Sequence, residues 1–76
     1  MKLLRIKREN FGWSRAELAR RAGMNGVTVG QIENSRLNPY PGQLEKLAIA
    51  LGMPAARAAE LLLEEPAPTG VASVGA

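Results

Sequence analysis

The chain has 76 residues, a net charge of +3, and no cysteine, histidine or aspartate. That length holds one domain with a small core. The missing residue types exclude disulfides, thiolate nucleophiles, Ser-His-Asp catalysis and the usual zinc ligand sets.

Charge is unevenly placed. Residues 1–40 carry eight bases against three acids, a balance of +5, whereas residues 41–76 balance at −2. A basic half of this kind is a footprint for polyanions, nucleic acid foremost. The hydroxyls of Ser14, Thr28, Ser35 and Tyr40 have no imidazole to activate them, so neither an enzyme nor a cofactor is expected. No apolar stretch of signal-peptide or membrane-spanning type is present, and a cytoplasmic protein without a membrane partner is expected.

The periodicity predicts an all-α fold of five helices. The first covers about Lys2 to Asn10, with Leu3, Leu4, Lys7 and Phe11 on its inner side, and Gly12 interrupts it. The second starts at the strongest local signal in the chain, Ser14-Arg15-Ala16-Glu17. This fits a capping box, with Trp13 and Leu18 spaced as a hydrophobic staple. Leu18, Ala19 and Ala22 form its apolar stripe, and Gly23 supplies the left-handed residue that ends it.

The third helix is capped by Asn25, with Met24 and Val29 spaced to staple it. Val29 and Ile32 face inward together, which leaves positions 27, 30, 31 and 34 outward. After a loop from Ser35 to Tyr40, Pro41 suits the first position of the fourth helix. Leu44, Leu47, Ala48 and Leu51 repeat at helical spacing there, and Gly52 stops it. Pro54 opens a fifth helix through an alanine-rich stretch to about Glu65. Residues 1–65 are thus read as the folded domain and residues 66–76, PAPTGVASVGA, as a disordered tail.

The second and third helices, joined by a three-residue turn that begins with glycine, have the spacing of a helix-turn-helix, though an ordinary helical hairpin shares it. The residues are more specific. Ser14, Glu17, Leu18, Ala19, Ala22, Gly23, Asn25, Val29, Ile32, Glu33, Asn38 and Pro39 together resemble the Cro/repressor (Xre-type) helix-turn-helix family. The likeness extends over about residues 3–63.

The resemblance implies a lambda-repressor-like five-helix domain whose third helix enters the major groove of double-stranded DNA. Carried over position by position, Gly26, Val27, Gly30 and Gln31 face the bases. Arg15, Asn34, Arg36 and Tyr40 face phosphates. Gln31 has the donor and acceptor needed for adenine, and Val27 can meet a thymine methyl. It also implies that Arg8 and Glu33 pair to fix the angle of the third helix. Gly26 and Gly30 depart from the family, which usually carries hydrogen-bonding side chains there. Either the bare backbone sits closer to the bases, or specificity has weakened and the face binds a protein.

The fifth helix carries more apolar residues than one core can take. Leu61, Leu62 and Leu63 are therefore the expected homodimer surface. The functional expectation is a repressor-like transcriptional regulator that reads a palindromic operator. The alternative is a protein-interaction module of antirepressor or antitoxin type, whose helix-turn-helix face has moved to a regulatory protein.

Overall fold

Each helix of this chain is short, so its stability comes from packing rather than from intrinsic propensity. In the computed structural model, which describes residues 1–66, four α-helices and a terminal 3₁₀ helix wrap one core. They are α1 (Leu3–Asn10), α2 (Arg15–Ala22), α3 (Gly26–Glu33), α4 (Pro41–Ala50) and the 3₁₀ helix (Ala55–Leu62). The described residues form no strand; Lys2 and Glu64 make a single isolated bridge. The expected all-α class stands. Ten of the eleven residues assigned to a tail lie outside the described part.

Leu4, Leu18, Val29, Ile32, Leu47 and Leu61 are the largest side chains fully removed from water. They come one or two from each helix, so no helix can detach without exposing the shared centre. The fourth-helix stripe is buried throughout: Leu44, Leu47, Ala48 and Leu51 are all in the core.

Local chemistry fixes the helix starts. The Ser14 hydroxyl accepts from the Glu17 amide at 3.0 Å, and Asn25 Oδ1 accepts from the Val27 amide at 2.8 Å. Only half of the expected capping box forms at α2. The Glu17 carboxylate turns outward to Arg20 and Arg21 instead of reaching back to Ser14. Two guanidiniums compete for it more strongly than one backbone amide. At α4, Gln43 Oε1 accepts from the Tyr40 amide at 2.9 Å.

Helix ends follow one pattern. After α2 the chain turns left-handed at Gly23 (φ 73°). Met24 N–H then donates to the Ala19 carbonyl at 2.8 Å, the six-residue closure of a Schellman motif. The same closure recurs after α1 at Gly12 and after α4 at Gly52. After α3 the left-handed residue is Ser35 (φ 61°), and Arg36 N–H closes on the Gln31 carbonyl at 2.8 Å.

Two expectations are corrected. Phe11 does not join the inner side of α1. It is half exposed and stacks on Trp13 with ring centroids 4.4 Å apart. Phe11 keeps helical backbone angles, and Trp13 offers it a flat apolar face. The fifth helix ends at Leu62 rather than near Glu65 and has 3₁₀ geometry. Its last residues leave the helix to pair with the chain start: Leu3 N–H donates to the Leu63 carbonyl at 2.9 Å, and Glu65 N–H to the Met1 carbonyl at 2.8 Å.

Candidate nucleic-acid interface

Close approach of α2 and α3 creates the site. A Cβ built on Gly26 would lie 3.2 Å from the Ala16 Cα, so the two backbones nearly touch where α3 begins. From there the helices diverge and leave a solvent-open concavity. It is lined by Arg15, Ala16, Asn25, Gly26, Val27, Gly30, Gln31, Asn34 and Arg36. Seven of the eight positions nominated for DNA contact lie on this one surface. Tyr40, three-quarters exposed, does not line it. Ala16 and Asn25 were not nominated. Nothing local in the sequence marks the first, whose place opposite Gly26 is set by how the two helices pack, and the capping role of Asn25 masked the second.

Exposure separates the nominated positions. Val27 is 67% exposed, and Gln31, Asn34 and Arg36 are exposed as well. Gly26 is half buried against α2, and Gly30 is buried. The outward assignment of Gly30 is therefore corrected. Its missing side chain is a slot filled by Arg15, whose Cδ would lie 3.4 Å from a Cβ placed there.

Beneath this surface is a charge network. Arg8 Nε donates to Glu33 Oε2 at 2.7 Å, and Arg8 Nη2 to Glu33 Oε1 at 3.1 Å. Arg8 Nη1 donates in addition to the Trp13 carbonyl at 2.8 Å. The Glu33 side chain has no solvent exposure. Its hydrogen bond to Arg8 raises the guanidinium pKa further above its ordinary value. One buried pair thus ties α1, the α1–α2 turn and the end of α3 together. A buried carboxylate with no cation would be costly, so the two charges specify each other.

Glu33 has a second partner. Arg15 Nε donates to Oε1 at 3.2 Å across the top of Gly30. Arg8 already matches the carboxylate charge, which leaves the Arg15 charge in excess. Arg36 has no carboxylate partner among the described residues. The other two arginines of α2 share one carboxylate: Arg20 and Arg21 both bind Glu17, and Arg21 also lies 4.3 Å over the Trp13 ring. The hydrogen bond from Arg20, then that from Arg21, lowers the Glu17 pKa. Arg15, beside a carboxylate that Arg8 already matches, and Arg36, without one, both line the concavity.

A helix-turn-helix domain model matches residues 2–61 of this chain, which includes every element from α1 into the 3₁₀ helix.

The chain belongs to the helix-turn-helix domain family.

A Neisseria hypothetical transcription factor, from Neisseria meningitidis serogroup B, is 42% identical over 52 residues. The alignment covers 68% of this chain and 49% of that protein, so this helix-turn-helix chain spans about half the length of that relative. No solved structure matches it.

The expected dimer surface is altered by the geometry. Leu61 is fully buried in the chain's own core, which removes it from any partner contact. Leu62 is half buried and Leu63 is 53% exposed. No helix among the described residues is long and apolar enough to cross a membrane.

Proposed function

We propose that this chain is a DNA-binding transcriptional regulator that lays α3 in the major groove of duplex DNA. One observation carries the reading. The concavity between α2 and α3 is open to solvent and lined by Arg36, which has no carboxylate partner among the described residues, and Arg15, whose carboxylate Arg8 already matches. A duplex presents phosphates on either side of a groove wide enough for a helix, and this surface offers an exposed helix face with two cations beside it. Family membership and a relative named as a transcription factor support it.

In this reading Val27 and Gln31 meet base edges, with Gln31 suited to adenine and Val27 to a thymine methyl. Gly26 lets the start of α3 approach closely. Arg15, Arg36, Asn34 and Tyr40 hold phosphates. The protein acts as a homodimer on a palindromic operator and represses by occupying it, with two copies of α3 about 34 Å apart. The partner surface is Leu63 and the exposed edge of Leu62.

Salt-titrated binding to a labelled duplex tests the proposal. Affinity falls steeply as salt rises, because each phosphate neutralised releases counterions. Affinity that is flat with salt, or absent, contradicts it. The second reading, a protein-interaction module, draws on the exposed apolar Val27 beside two positions without side chains. It gains ground only on that contradicting result.

A further inference from the structure

Arg15 is not a free surface arginine, and the reason deepens the DNA-binding reading on which it rests. We propose that Gly30 and Glu33 are positioning residues that hold Arg15 in place for a phosphate before DNA arrives. Three observations combine. The Arg15 side chain crosses α3 at the one interior position without a Cβ; its Cδ, Nε and Nη1 lie 3.4, 3.7 and 3.7 Å from where that Cβ would be. Its Nε is bonded to Glu33, whose own side chain is fully buried and held by Arg8. Its Nη1 and Nη2 make no hydrogen bond among the described residues, and the side chain stays 44% exposed on the concavity.

Glu33 therefore acts as a fixed acceptor that orients the guanidinium without cancelling it. Arg8, Glu33 and Arg15 together retain one positive charge, and it is displayed at Arg15. A long side chain immobilised only on binding weakens affinity by about two- to ten-fold, and here that ordering is already done. The same geometry gives glycine at position 30 a purpose besides contact with bases. A side chain longer than a methyl would occupy the channel through which Arg15 runs.

The test uses the whole chain and a fluorescein-labelled random-sequence duplex, since phosphate contacts do not depend on sequence. Gly30→Ala should bind as the unmutated chain does, because a methyl meets Arg15 at ordinary contact distance. Gly30→Leu should lose about two- to ten-fold in affinity with the salt slope kept, since Arg15 keeps its charge and is ordered only on binding, whereas Arg15→Ala should also lower the slope by about one. In an Arg15→Ala background, Gly30→Leu should add no further loss. Unchanged binding by Gly30→Leu overturns the proposal, and so does an equal loss in both backgrounds, which would mean that the leucine obstructs DNA directly. Absence of salt-dependent binding by the unmutated chain overturns the DNA-binding reading as well. A measurement on the unmutated chain stands apart from whether the leucine variant folds: the Arg15 Nε–H resonance should exchange slowly in the free protein. Exchange as fast as at Arg36, which has no carboxylate partner among the described residues, would overturn the proposal.

Discussion

Gly26 and Gly30 share a residue type and a helix but not an environment, so alanine should act on them in opposite directions. At Gly30 the new methyl meets only the flexible Arg15 side chain, and the helix interior gains about 0.5–1 kcal/mol from losing a glycine. At Gly26 it meets the Ala16 backbone at 3.2 Å, and forcing the helices apart costs about 1–3 kcal/mol. Thermal melts should show Gly30→Ala above, and Gly26→Ala below, the unmutated chain. A shared direction would show that helix propensity alone governs both. The sequence signalled only that these positions depart from the family pattern. It could not separate them, because the difference lies in what stands opposite, across a contact between two helices. Arg8→Ala should cost about 2–4 kcal/mol, since it strips the main partner from a fully buried carboxylate. A melt unchanged by that substitution would contradict the role assigned to the pair.

At the scale of the element, caps and stops were the most legible features, because they depend on residues adjacent in the chain. Ser14, Asn25, Gly23, Gly52 and Pro41 act where their types suggest. The left-handed residue after α3 is the exception, since Ser35 occupies a position where the other three α-helices use glycine. Ser35→Gly should raise stability by at most about 1 kcal/mol, the left-handed penalty being partly offset by greater freedom of the unfolded chain. A lower melting temperature would mean that the serine hydroxyl contributes. The end of the 3₁₀ helix departs from the sequence expectation for a complementary reason: residues 63–65 are claimed by the distant chain start, which no local pattern reveals. Lys2 bonds Glu64 there, and that hydrogen bond is the main cause of a lowered Glu64 pKa. A carboxylate with a depressed pKa stabilises the fold above its ordinary value near 4.5 and loses that contribution as pH falls through the lowered one. The difference in melting temperature between the unmutated chain and Glu64→Gln should therefore shrink below pH 4.5. A constant difference would contradict the pairing.

For the whole molecule, the sequence carried the fold class and most of the candidate surface, since helical period and turn spacing decide which face of α3 is covered. It did not carry the division of charge. Net charge by halves points to polyanions, but only the folded chain shows which carboxylates the arginines share, Arg20 and Arg21 on Glu17 and Arg8 and Arg15 on Glu33, and that Arg15 and Arg36 line the concavity. Nor did it separate Leu61, which the core takes, from Leu63, which it leaves out. The proposed dimer consequently has a smaller apolar surface than three leucines would give. Leu63→Glu should shift sedimentation at tens of micromolar toward the monomer mass, and an unchanged mass would place the partner contact elsewhere.

The central claim, that the surface between α2 and α3 receives duplex DNA, is tested most directly by mapping backbone amide shifts as an unlabelled duplex is added to isotope-labelled protein. The largest changes should fall on residues 25–34 and around Arg15 and Arg36, and should fade as salt is raised. Changes confined to the 3₁₀ helix and the chain ends, or none at all, would contradict it.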